Sequence, residues 1–240
     1  MESKNSRTLL CRVLYVSMFI ILSLIVLASP IACSKSRGNI GYWRFNEGSG
    51  VIATDSSSHK NNGEAHNATW ASGAKGSALC FNGTDDSYVE VPNKAELTPT
   101  TRLTIDVWIK PASYPQEYIA ILYKGDLQQT ECFGERSYSL WASARGEIHF
   151  TWTPAGEECQ IACQTEGGLI PTGEWSHVRV DLNTEKEMVR IFVNGRKVLE
   201  DDCPQKPIKV GDSPLRIGGL FRSEVNQSGF SGCIDEVRIY

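Results

Sequence analysis

Residues 103–110 read Leu-Thr-Ile-Asp-Val-Trp-Ile-Lys. Leu103, Ile105, Val107 and Ile109 alternate with Thr104, Asp106, Trp108 and Lys110. That period of two belongs to a pleated strand with one face turned to a core. The alternation returns in Val178, Val180 and Leu182 against His177, Arg179 and Asp181, and in Val189, Ile191 and Val193 against Met188, Arg190 and Phe192. Turn chemistry separates the runs. Arg190 to Val198 is centred on Asn194-Gly195, a strong two-residue hairpin signal. Ser139 to Phe150 reads as a second hairpin around Ala144-Arg145-Gly146, with Gly146 suited to a left-handed position. One short turn is expected at Lys94 to Leu97, and no longer stretch outside the N-terminal segment shows helical periodicity. From Ile40 onward the chain reads as one all-β domain, about a dozen strands in a two-sheet antiparallel sandwich.

The 240 residues are 41% hydrophobic and 22% charged, the composition of an ordinary globular protein. Roughly 200 residues after the N-terminal segment suffice for a sandwich with its own core. A formal net charge of −4 leaves no basic footprint for a phosphate backbone, so nucleic acid is not an expected partner.

At the N-terminus Lys4, Arg7 and Arg12 precede an apolar run, Val13 to Leu27, and then the small residues Ala28, Ser29 and Ala32. Residues 1–34 are therefore read as a signal peptide or, by length, an N-terminal membrane anchor, with the domain at 39–240. Cleavage before Cys33 with lipidation there is a third route, although Pro30 stands where the lipobox has leucine. Each route carries the domain out of the cytosol, to a secreted or cell-surface location, and membrane contact is expected only through this segment.

Eight cysteines occur, with Cys11 inside the export segment and Cys33 at its border. The other six, Cys80, Cys132, Cys159, Cys163, Cys203 and Cys233, form an even set in an exported domain and predict disulfides. Zinc would want paired knuckles or nearby histidines, and Cys159-x₃-Cys163 is the only close pair. Asn67-Ala-Thr, Asn82-Gly-Thr and Asn226-Gln-Ser are glycosylation sequons, meaningful in a eukaryotic host.

Several segments carry a family resemblance, in order along the chain. They are Tyr-Trp-Arg-Phe-Asn-Glu-Gly-Ser-Gly at 42–50, Ala-Thr-Asp-Ser-Ser at 53–57 and the stretch 76–92. Further on come 103–111, Gly-Glu-Trp-Ser-His-Val at 173–178, Ile-Phe-Val-Asn-Gly at 191–195 and Gly-Cys-Ile-Asp-Glu-Val-Arg-Ile-Tyr at 232–240. Together they resemble the laminin-G-like branch of the concanavalin A-like lectin/glucanase superfamily. The resemblance implies a jellyroll, often with a structural calcium and a role in carbohydrate or protein recognition, without naming a ligand. It also suggests a Cys80–Cys233 bridge, since both stand in framework strands near the domain's ends. Cys132, Cys159, Cys163 and Cys203 would then pair among themselves.

Asp235 shares parity with Val237 and Ile239, and Glu47 with Trp43 and Phe45. A carboxylate turned toward a core is costly unless a metal or charged partners satisfy it. Related jellyrolls bind calcium between their first and last strands. Carried over, Asp235 and Glu47 would be ligands here, with Asn46, Asp55 or backbone carbonyls completing the six to eight oxygens calcium takes. The plainer alternative is that Asp235 accepts backbone N–H bonds or pairs with an arginine.

Enzyme signatures are absent: there is no Glu-x-Asp-x-x-Glu strand, Gly-x-Ser-x-Gly, His-Glu-x-x-His or P-loop. If the 144–146 loop has three residues, Tyr138, Leu140, Phe150 and Trp152 face inward, and Trp141 and His149 lie opposite each other on the outer face. An aromatic beside an imidazole and the hydroxyls of Ser139 and Thr151 suits a sugar ring, unless a neighbouring loop covers the tryptophan. Gln128–Arg136 and Pro154–Gly168 look like insertions that disulfides would brace. The expectation is a non-catalytic recognition module for a glycan or surface polymer. The alternatives are an adhesion protein that holds a surface protein through its braced loops, and a glycoside-acting hydrolase.

Overall fold

The computed structural model describes residues 38–125, 136–221 and 226–240. Residues 1–37, with Cys11 and Cys33, and Cys132 in the first insertion lie outside the described residues. Residues 37–240 form one compact unit.

In chain order the strands begin β1 (Gly41–Trp43), β2 (Ile52–Ala53), β3 (Gly63–His66), β4 (Thr69–Ser72), β5 (Ser77–Asn82) and β6 (Tyr88–Val91). Then come β7 (Arg102–Pro111), β8 (Tyr118–Gly125), β9 (Arg136–Ser143), β10 (Ile148–Trp152) and β11 (Ile161–Gln164). The series ends with β12 (Ser176–Asn183), β13 (Met188–Val193), β14 (Arg196–Asp202), β15 (Leu215–Ile217), β16 (Gln227–Gly229) and β17 (Ser231–Ile239). The only helical pieces among the described residues are single 3₁₀ turns at Ala95–Leu97, where a turn was expected, and Thr184–Lys186.

One sheet runs β14-β13-β12-β7-β17-β5-β4, with β1 also paired to β17; the other runs β11-β10-β9-β8-β15-β6-β3-β2, with β16 beside β8. All pairings are antiparallel except β16 with β8. This is a jellyroll sandwich. The alternation seen in sequence sets the core: Leu103, Ile105, Val107 and Ile109 of β7 are fully buried between the sheets, as are Val178 and Val180 of β12 and Tyr138, Leu140 and Phe150 of the second sheet. Burying each large side chain stabilises by about 1.5–3 kcal/mol.

Both predicted hairpins form. Val193 opposes Arg196 across Asn194-Gly195, and both turn residues have positive φ (50° and 78°), as a type I′ turn requires. His149 opposes Trp141 and Ile148 opposes Ala142, with Gly146 at φ 73° in the intervening loop.

Two parity readings fail for local backbone reasons. Between Asp235 and Arg238 the register slips against β7: Asp235 opposes Trp108 and Arg238 opposes Asp106, so β17 spends three residues where β7 spends two. Glu236 takes up the extra residue in left-handed conformation, φ 53°. The bulge places Asp235 on the outer face with Trp108, while Val237 and Ile239 remain inside. Asp235 is nonetheless fully buried, because the 73–77 turn covers it. That turn approaches closely: a Cβ on Gly73 would lie 2.6 Å from Asp235 Oδ2. In the first strand Phe45 is itself left-handed, φ 52°, so alternation stops there and Glu47 is exposed.

The expected Cys80–Cys233 bridge is present, between residues directly opposed on β5 and β17. Cys159 is also disulfide-bonded. Cys163 and Cys203 are not, contrary to the expectation that they join the set. Both are buried thiols, Cys163 at the sheet edge on β11 and Cys203 just beyond β14, packed into the apolar core. A small buried cysteine serves as an apolar filler, and burial pushes the thiols up to about 12 and about 11.

Candidate functional site

The outer face of the second sheet carries its own small apolar cluster, Ala120, Tyr123, Trp141 and Leu220. Above it lies a cleft of ≈ 320 Å³ lined by Tyr118, Arg136, Trp141, His149, Gln160, Ala162, Asn226 and Gln227. The size is that of a small-ligand site. Five elements build it: β8 supplies Tyr118, β9 Arg136 and Trp141, β10 His149, and the chain around β11 and β16 the amides.

Trp141 and His149 are brought together as the hairpin reading anticipated, but the tryptophan is not presented to solvent. It is only 1% exposed. The Arg136 guanidinium lies 5.1 Å from its ring centroid and 5.3 Å from that of Tyr123, over both rings, which meet edge to face. Trp141 Nε1 donates to Ser139 Oγ at 2.7 Å, and that hydroxyl also bonds Thr151 at 2.6 Å. The hydroxyls proposed to greet a sugar thus hold the floor together. Trp141 is a foundation for the cleft, not its stacking surface.

The accessible aromatic is Tyr118, half-buried and packed against His149 with ring centroids 5.2 Å apart. Gln164 Oε1 receives His149 Nδ1 at 3.1 Å and Tyr118 Oη at 3.4 Å, which fixes both rings. Burial pushes the His149 imidazolium down. The Gln164 bond and Glu147 work against that, and the Arg136 charge adds to it. Gln160 lines the cleft, and its Oε1 is buried with no hydrogen-bond partner. Tyr118, Gln160 and Gln227 carried no sequence signal of their own, because pairing of β10 with β11 and of β16 with β8 brings them here.

The expected calcium ligands lie near the junction of β1, β17 and the 73–77 turn. Asp55 is fully buried, and its oxygens accept from the backbone N–H groups of Tyr42, Ser57 and Asn61 and from the Ser57 hydroxyl. Burial alone would raise its carboxyl, but those bonds outweigh it and hold the group below its ordinary value. It has no lone pair to spare. Glu47 Oε1 accepts from Thr54 N–H and Asn46 Oδ1 from Ser77 N–H. Asp235 Oδ2 accepts from Lys75 N–H at 2.8 Å, while its Oδ1 is buried without a partner. Burial raises the Asp235 carboxyl. Among the described residues no group of three or more His, Cys, Asp or Glu side chains is placed to hold a metal.

Glu236, which sequence reasoning passed over, sits beside this junction. It is 1% exposed and accepts from Tyr42 Oη and Arg238 Nη2, each at 2.6 Å. Arg238 continues to Asp106 at 3.7 Å, and Asp106 bonds His177 Nε2 at 2.9 Å. His177 is therefore a framework residue that clasps β12 to β7.

A second groove of ≈ 290 Å³ on the outer face of the first sheet includes Arg102, Arg179, Asp181, Lys186 and Arg190. Its arginines pair with Glu185, Asp181 and Glu200, and it has no aromatic platform.

The two-sheet sandwich, with β1 paired to β17, is a jellyroll of the kind the sequence resemblance implied. Residues 81–240 match the Laminin_G_3 family, and the chain belongs to this concanavalin A-like lectin/glucanases superfamily. A search of curated proteins found no match. Among solved structures, the binding domain of Paraclostridial Mosquitocidal Protein 1 is similar with a TM-score of 0.64 at 13% identity, over 85% of this chain and 48% of that one. The chain thus spans about half the length of that toxin domain. The CBM40 domain of the Ruminococcus gnavus IT-sialidase, solved with α2,3 sialyllactose, is similar at TM-score 0.57 and 15% identity, over 68% of this chain and 89% of its own. Domain 4 of the Geobacillus stearothermophilus arabinanase AbnA, solved with arabinotriose, has a TM-score of 0.56 at 18% identity, over 85% and 92%. At these identities the likeness is one of fold.

Proposed function

We propose that this chain is an exported, non-catalytic recognition module that binds a glycan in the cleft over β8–β11. The observation that carries the reading is the union, in one cleft on a rigid sheet, of a half-exposed Tyr118 ring with amide and imidazole groups, one of whose acceptors is unpaired. An aromatic face takes the C–H side of a sugar, and fixed polar groups read its hydroxyls. Relatives of this fold solved with sialyllactose and arabinotriose support it. An oligosaccharide array followed by calorimetry tests it. Binding is expected to fall at least tenfold in Tyr118→Ala, and failure of every sugar to bind would end the reading.

A calcium ion at the terminal junction is part of this proposal. The partnerless Oδ1 of buried Asp235 fits a cation, and Asn46 flanks the same 73–77 turn, whereas Asp55 is fully engaged. When bound, the ion would supply charge to offset the buried carboxylate and tie the chain ends together. Calcium is expected to raise the melting temperature relative to EGTA in the native protein but not in Asp235→Asn. Equal melting with and without calcium in the native protein would remove the ion.

A further inference from the structure

A glycan site can select acidic or neutral sugars, and the hydrogen-bonding roles in the cleft differ for the two. Gln164 Oε1 can only accept, so the bond at 3.1 Å puts the proton of neutral His149 on Nδ1 and leaves Nε2 with a lone pair. Gln160 Oε1 is a second acceptor without a donor. Gln227 Oε1 receives Arg136 Nη2 at 3.2 Å, which leaves the Gln227 amide N–H groups to donate. The cleft therefore offers acceptors and donors together.

A hydroxyl both donates and accepts, and answers such a mixture. A carboxylate only accepts, so its oxygens would face two lone pairs in a confined space. Among the described residues lining the cleft, the one full charge is Arg136. It is 2% exposed and packed against the rings of both Tyr123 and Trp141, which makes it part of the floor.

We infer that the cleft selects neutral, hydroxyl-rich sugars over acidic ones, with Gln160 Oε1 and His149 Nε2 accepting bonds from two sugar hydroxyls while Tyr118 backs the ring. The inference rests on the glycan reading of the same cleft. It carries a pH dependence, because protonated His149 would turn Nε2 from acceptor into donor. The charged groups acting on that ring are Arg136 of β9, which opposes protonation, and Glu147 beside β10, which favours it; Tyr118 of β8 and Gln164 of β11 face it uncharged.

The test is calorimetry on the purified protein with matched sugars: lactose against α2,3 sialyllactose, and maltotriose and arabinotriose against trigalacturonate. At least one neutral sugar should bind, and acidic sugars should bind tenfold more weakly or not at all. Gln160→Met, which keeps the length without the acceptor, should weaken the neutral sugar about tenfold. Lowering the pH from 7.5 to 5 should weaken it several-fold in the native protein but not in His149→Gln, whose amide oxygen accepts at both values. Near-ultraviolet circular dichroism verifies that each variant is folded. Preference for an acidic sugar, or unchanged binding in folded Gln160→Met, would overturn the inference and leave the glycan reading standing. Binding of no sugar would remove both.

Discussion

The Cys80–Cys233 bridge joins residues 153 positions apart, and its removal is the most quantitative test of how this domain is held. Loop closure of that length stabilises by about 5 kcal/mol at 25 °C on the chain-entropy account. Both cysteines are half-buried on the outer side of the first sheet, with ordinary ladder pairing around them. Replacement by alanine therefore forfeits little packing, and the cross-link itself should dominate. With an unfolding entropy of about 2.1 cal/mol/K per residue, some 200 folded residues give roughly 0.4 kcal/mol/K. The Cys80→Ala/Cys233→Ala double variant should accordingly melt about 12 °C below the native protein. Scanning calorimetry measures the shift, and urea denaturation should show a steeper slope in the variant because its unfolded chain expands further. A drop of less than about 3 °C with an unchanged slope would refute the reasoning, since the unfolded ensemble would then be restrained elsewhere.

Asp55→Ala strips a partner from three backbone N–H groups and a hydroxyl, at roughly 1–3 kcal/mol for each group left buried and unpaired. A loss of at least 3 kcal/mol is expected in urea denaturation. The stability that Asp55 contributes should be present above its ordinary carboxyl range and lost as pH falls through its lowered value. Lys124 is buried, donates to Asn93 Oδ1 and Ser213 O, and is pushed down to about 8 by burial. From pH 8 upward the unfolded chain holds a proton there that the folded chain has released. Stability should therefore rise by up to about 1.4 kcal/mol per pH unit relative to Lys124→Met. Cys163 and Cys203 are raised in both proteins alike, so their ionisation in the unfolded chain drops out of the comparison. Parallel curves for the two proteins would reject the assignment.

What was legible in the sequence is what local chemistry dictates. Alternation at 103–110, 176–183 and 188–193 is enforced by a buried face, and Asn194-Gly195 by the handedness of a tight turn, so strands and hairpins could be read directly. Asp235 could not. Its parity was counted through Glu236, and one residue in left-handed conformation reverses the face of everything before it relative to everything after. Glu47 was misplaced by the same kind of interruption at Phe45. A period-two argument holds only as far as its ladder is unbroken.

Trp141 shows a different limit. Its strand, face and cross-strand partner were all legible, yet its accessibility depends on Arg136 and Tyr123, whose relation to it comes from packing among β8, β9 and the chain near Leu220. Covering one large aromatic with a guanidinium changes what the face can recognise. In the glycan reading proposed above, the broad stacking surface is lost and discrimination passes to Tyr118 and the amides at the edge. A site built this way gives up area for polar geometry. It should bind weakly and choose by hydroxyl pattern, since fixed hydrogen-bond partners reject a misfit sugar more strongly than an apolar surface does.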